Sequence, residues 1–240
     1  MPSPGTTLCC RLDRSRRDAN LPRGMGAPSG VVLLSRELLT SGRSTVLNPR
    51  CTRRGRYNPI AMAVFSANEV LDQRLDWTVL RDGGVALYWR SEILADDLLW
   101  FGSNGYHIVS FEAANWLTED QMHDSFKAGL SFPDYYGKNL DALNECMCDD
   151  LVVPDAGGLV LVLNHYDHFA KVNLDAGSSG KKIADVVLDI FAGATRYHML
   201  FGRRLLILVQ SDDAWIQFGR LGGMAASWNR REWLNKNRGL

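Results

Sequence analysis

Downstream of Met62 the apolar positions follow two patterns, stripes three and four residues apart and short unbroken runs. Stripes predict helices that bury one face, and runs predict strands buried on both. Ser66 is placed to cap a short helix extending to about Arg74. Trp77–Leu80 and Val85–Trp89 are compact apolar runs separated by Asp82, Gly83 and Gly84, a spacing that predicts a hairpin. Ile93–Phe101 continues the apolar pattern through the acidic pair Asp96 and Asp97.

Tyr106–Phe111, YHIVSF, predicts the first strand of a second block. Thr118 then precedes Glu119, Asp120 and Gln121 as in a capping box, and Met122, Phe126 and Leu130 follow four apart along one helix. LVLVL at Leu159–Leu163 suits an interior parallel strand, and His165–Val172 a short helix with Phe169 turned inward. After a polar loop over 173–180, Ile183, Val186, Val187, Ile190 and Phe191 stripe a helix running to about Leu200, which Gly202 ends. LLILV at Leu205–Val209 predicts the last buried strand.

Strands separated by helices imply crossover connections and therefore a parallel sheet. The expected class is α/β: a small three-stranded parallel sheet packed by helices over residues 106–211. An α+β elaboration of helix and hairpin precedes it over 62–105, either covering the sheet or forming a separate lobe. A C-terminal extension over 212–240 carries Phe218, Leu221, Trp228, Trp233 and Leu234 beside Arg230 and Arg231. That extension is expected to pack its tryptophans on the domain and leave its arginines solvated.

Residues 1–61 break the pattern, with six of the eight prolines and little periodicity beyond VVLLSRELL at Val31–Leu39. Disorder is expected there. The segment is Arg-rich and acid-poor, as a transit peptide or nucleic-acid arm would be; the expectation adopted is a non-folding extension, with Met62 a candidate true start. The formal net charge of zero hides an asymmetry: 11 Arg, no Lys and three acids in residues 1–61 leave an excess of about eight acids in the remainder. No run approaches the roughly 18 apolar residues of a membrane helix, so no membrane association is expected. Cys9, Cys10 and Cys51 lie in the extension, and Cys146 and Cys148 further on. An odd count without framework spacing predicts reduced thiols and a cytoplasmic setting. His107, His123, His165, His168 and His198 have no carboxylate ligand set at defined spacing. They are assigned structural or surface roles; neither a metal site nor a cofactor is expected.

The candidate chemistry lies in FPDYYGKNLDALNECMCDDL, Phe132–Leu151. Pro133 and Gly137 shape a loop, and Asn139 is a good N-cap for a helix beginning near Leu140. Leu140, Leu143, Met147 and Leu151, with Cys146 beside them, form its apolar stripe. On the other face Asp141 and Glu145 stand one turn apart, with Asn144 alongside and Asp149 a turn further, and without bases at helical spacing. Tyr135 and Tyr136 either anchor an interface or brace the loop, Tyr136 being the one expected against the core. Paired acids of this kind fit a solvated face, a protein-binding surface or a general acid–base pair. No nucleophile or metal constellation accompanies them.

Pro133, Tyr135, Tyr136, Gly137, Asn139, Leu140, Asp141, Ala142, Leu143 and Cys146, with Glu145 in place of an aspartate, resemble the central motif of the barstar-like family. Its members are intracellular inhibitors of barnase-type ribonucleases. The order of elements between about Tyr106 and Ser211 resembles that family's fold as well. The resemblance implies an inhibitor or immunity protein, as in a toxin–antitoxin pair, and not an enzyme. It implies that Tyr135, Asn139, Asp141 and Glu145 meet a nuclease active site, with Asn144 and Asp149 on the same surface. The implied partner is a basic ribonuclease of extracellular or toxin type, bound by a protein that is monomeric when free and does not touch nucleic acid. Lys138 stands where the family has an acid, and Asn144 where it has an interface tryptophan. Gly193 takes the place of a late-helix acid, with Asp189 one turn earlier as a stand-in. These departures point to a nuclease other than barnase. The alternative is an adaptor that uses the same acidic face on a basic partner that is not a nuclease.

Overall fold

Leu159, Leu161 and Leu163 face one side of their strand and Val160 and Val162 the other, and all five are buried. This alternation builds two cores on the two faces of one sheet. The computed structural model describes residues 64–172 and 180–233, all within the unit Gly55–Leu240. The expectations for residues 1–61 and for most of the polar loop at 173–180 lie outside the described residues.

Three strands of the central block form where the runs predict them: β2 at Tyr106–Glu112, β3 at Gly158–Asn164 and β4 at Leu205–Gln210. β1, Val85–Tyr88, and β7, Ser227–Trp228, extend the same sheet in the order β2-β3-β4-β1-β7, every ladder parallel. A two-residue pair, β5 at Arg220–Leu221 and β6 at Met224–Ala225, forms a small separate antiparallel ladder.

The predicted hairpin is not formed. Residues Leu75–Arg81 are a helix, α2, following the short α1 at Ala67–Leu71. Ser66 caps α1 with a full capping box. Asp82 and the two glycines end α2: Gly83 N donates to Leu80 O and Gly84 N to Val79 O. β1 pairs with β4 instead, Val85 opposite Ile207. The helix α3, Ser91–Ser103, then leads into β2.

Buried residues of α2 and α3, among them Val79, Leu80, Ile93, Leu94 and Phe101, cover one face of the sheet at Ala86, Tyr88, Val160, Val162, Leu206 and Leu208. Residues 64–105 are thus a cover on the sheet. The other face packs against α4 (Glu119–Gly129), α5 (Leu140–Asp149), α6 (Tyr166–Lys171) and α7 (Ile183–Leu200). Trp116 sits at the centre of that core, edge-on to Phe126 and Phe169.

A polar network joins the cover to the central block. The Asp76 carboxylate is fully buried and accepts from Arg74, Arg204, the Tyr106 hydroxyl and Trp77 N. Arg204 also donates to Val64 O and Glu69 and lies over the Phe65 ring at 4.3 Å.

The C-terminal extension is stitched to the cover in a similar way. Asp97 accepts from Tyr88, Asn229 and Arg231, the last at 2.6 Å. Glu232, also fully buried, receives the backbone N–H groups of Trp89 and Arg90 just ahead of α3. The arginines are exposed, as expected, but they are also paired: Arg231 with Asp96 and Asp97, and Arg230 with Gln73. Trp228 is half-buried against the core, whereas Trp215 and Trp233 stay exposed.

Candidate functional site

The loop before α5 is held from below. Tyr136 is buried, its hydroxyl bonded to His123 of α4 and its ring against Phe132. Lys138 adopts a left-handed conformation, φ +47°, and its ammonium meets Asp124 of α4. The loop thereby delivers Asn139 to the start of α5, where its Oδ1 accepts from Ala142 N at 2.8 Å. The capping role predicted for Asn139 is realised, and its Nδ2 donates back to Gly137 O at 3.3 Å.

From that start α5 presents the two predicted faces. Leu143, Cys146 and Met147 are buried in the core, as is Leu151 just beyond the helix. Burial raises the Cys146 thiol to about 12, so it stays protonated and behaves as a small apolar side chain. Asp141, Asn144, Glu145 and Asp149 are all exposed. A hydrogen bond joins α5 to α7 as well, His198 Nε2 donating to Met147 O at 2.8 Å.

Tyr135 is 73% exposed, yet its hydroxyl is fixed by a 2.7 Å bond to Asp150 Oδ1, which with its other acidic neighbours raises it to about 12. The ring is thus held beside the acidic face without being buried. At the far end of the helix, Asp149 accepts from the Tyr197 hydroxyl of α7 at 2.9 Å. All six predicted positions therefore lie on one loop and one helix, with Asp141, Asn144 and Glu145 exposed and Tyr135, Asn139 and Asp149 held by internal bonds.

Asp150 and Tyr197 were not legible as part of this surface. Each acts by a tertiary bond, 15 residues away for Tyr135–Asp150 and 48 for Asp149–Tyr197, and helical spacing carries no signal for such pairs. Asp189, the expected stand-in for a late-helix acid, is engaged elsewhere: its Oδ1 accepts from Gly222 N at 2.6 Å, in the turn between β5 and β6.

A family model described as Barstar (barnase inhibitor) matches residues 106–210. The protein named "Putative ribonuclease inhibitor YrdF" of Bacillus subtilis (strain 168) is 38% identical over 68 residues, which are 28% of this chain and 67% of that protein.

Proposed function

Because this chain belongs to the barstar family, we propose that it inhibits a basic ribonuclease by covering the enzyme's active site with the exposed face of α5 and the loop before it. The observation that carries this reading is the exposed acidic row Asp141, Glu145 and Asp149 standing next to a tethered, exposed Tyr135. A ribonuclease must bind phosphate, so its catalytic cleft is cationic, and a row of carboxylates can occupy it as a phosphate mimic. Asp141 and Glu145 would take the catalytic cations, and Asn144 the space beside them. Tyr135 and Asn139 would set the register, both being pre-ordered by internal bonds that lower the entropic cost of docking. Inhibition is then steric and electrostatic, with no chemical step in the inhibitor. Charge steering of this kind is established for the barnase–barstar pair itself.

The test is a pull-down from cell extract with the full chain, wild type beside an Asp141→Ala, Glu145→Ala double variant, with ribonuclease activity assayed on what is recovered. Removing one carboxylate from a buried charge pair costs about 2–5 kcal/mol, a range for which barnase–barstar is a measured case, so the double variant should lose at least about 100-fold in affinity. A nuclease captured by wild type alone supports the reading. Equal capture by both proteins would reject this surface, and a partner without nuclease activity would move the function to an adaptor.

A further inference from the structure

A second constellation lies at the carboxyl ends of the parallel strands, and the inhibitor reading does not use it. Glu112 closes β2 and His165 directly follows β3; since Glu112 lies opposite Asn164 in the ladder, the two side chains are brought together. His165 Nδ1 is 2.8 Å from Glu112 Oε1. An ionised carboxylate only accepts, so Nδ1 carries a proton, and in the neutral ring the lone pair lies on Nε2. That Nε2 is 3.9 Å from Asp212 Oδ2, just beyond β4, and His168 Nε2 is 3.4 Å from the same oxygen.

Two of the three groups, His165 and Asp212, are also held by bonds from outside the cluster. Gln210, which is buried, donates through Nε2 to Asp212 Oδ1 and accepts the His165 backbone N–H. Asp167 lies within 4.8 Å of the His168 and Asp212 ligand atoms, but its oxygens are occupied by Lys171 and by Asp212 N. Asp212 Oδ2 is thus left facing two imidazole nitrogens. His165 itself has φ +49°, an unusual conformation for a residue other than glycine, and one that places its ring between Glu112 and Asp212.

We propose that His165, His168 and Asp212 form a binding site for a divalent transition metal of the zinc class. Bonds of about 2.1 Å at a tetrahedral angle set two ligand atoms about 3.4 Å apart. His168 Nε2 and Asp212 Oδ2 already stand at 3.4 Å, whereas the exposed His165 ring, 3.9 Å from the same oxygen and outside the group of ligand atoms that lie within 4.8 Å of one another, turns inward to complete the set. Two imidazoles on one such ion have centroids about 5 Å apart, and here they stand 5.9 Å apart. Two neutral nitrogens and one carboxylate suit zinc, and disfavour calcium or magnesium, which prefer oxygen alone. The Glu112–His165 pair is the carboxylate–histidine–metal arrangement that fixes a ligand's tautomer, which makes Glu112 a positioning residue. The three ligands are about half exposed, so a fourth position is open to water or to a side chain of a bound protein.

The test is equilibrium dialysis of the full chain against micromolar zinc, repeated with His165→Ala/His168→Ala and with Asp212→Asn, which keeps the side-chain shape. Wild type should hold one more zinc per chain than either variant. Glu112→Gln should weaken that binding about 10–100-fold without changing the stoichiometry. With cobalt in place of zinc, the lost site should show tetrahedral absorption free of the thiolate charge-transfer band that a cysteine site would add. Equal zinc content in wild type and in Asp212→Asn, or a thiolate band accounting for all the bound metal, would overturn the proposal.

Discussion

Replacing Asp76 by Asn tests whether the cover is locked to the sheet by charge. The side-chain shape is kept, but every group around it is a donor: Arg74 Nε and Trp77 N at Oδ1, and Arg74 Nη2, Arg204 Nη1 and the Tyr106 hydroxyl at Oδ2. Whichever way the new amide is turned, its NH2 faces donors, and two arginines lose one of their two counter-charges, keeping only the Glu69 carboxylate that they share. A hydrogen bond to a charged group contributes about 1.5–3 kcal/mol, and breaking a buried ion pair costs about 3–5 kcal/mol. Some of this is recovered, because the Tyr106 hydroxyl can turn to accept and both arginines reach solvent, with 25% and 16% side-chain exposure. The expected net loss is about 3–4 kcal/mol, or roughly 6–16 °C in Tm for a domain of this size. Urea and thermal unfolding followed by tryptophan fluorescence would measure it. Glu69→Gln, at the rim of the same network, should cost no more than about 1 kcal/mol. A loss below about 1 kcal/mol for Asp76→Asn would refute the argument, since it would mean that the carboxylate contributes only its shape.

Gly84→Ala should destabilise by about 2–4 kcal/mol in urea unfolding, because φ there is +81° and a Cβ would collide with the buried Thr195 of α7. Trimming Thr195 to Ala should restore only part of the loss, since the Thr195 Cβ, which would stand 2.7 Å away, and the backbone strain both stay. Acid should also weaken the fold. His198 and His123 are both held below the ordinary imidazole value, first by burial, so below about pH 6.5 the unfolded chain takes up protons that the native protein refuses. Stability is then highest above that pH and falls toward about pH 5. In His198→Gln the fall in urea midpoint should be shallower; an unchanged slope would remove His198 from the account.

The central block was legible because its signals are local. Capping residues, turn residues and the apolar stripe place α5 and its loop to within a residue, and Thr118 and Ser66 mark the starts of two other helices. The hairpin failed for a reason in the same physics. WTVL is too short for its period to separate helix from strand, and its Val79 and Leu80 are buried in α2 against the sheet. Asp76 in the first turn and Arg81 in the last, matching the helix dipole, were the available clue. What no local pattern could supply was the partner of β1, because Val85 meets Ile207. The strands β5, β6 and β7, two residues each, are too short to leave a periodicity at all. The histidines at the end of β3 looked unremarkable because Glu112 and Asp212 reach them only through the register of the sheet.

The position of β1 also governs when the sheet can close. It is the first of the sheet's strands to leave the ribosome, yet it lies between β4 and β7, which are the last. Until Leu205–Gln210 has been made, β1 has neither neighbour, and the apolar faces of α2 and α3 have only part of the surface they cover in the finished fold. Long-range parallel pairing is slow, and apolar segments kept waiting are prone to associate with other chains. Assembly of this protein is therefore a late event in its synthesis, and a nascent chain stalled before β4 would be a natural client for a chaperone.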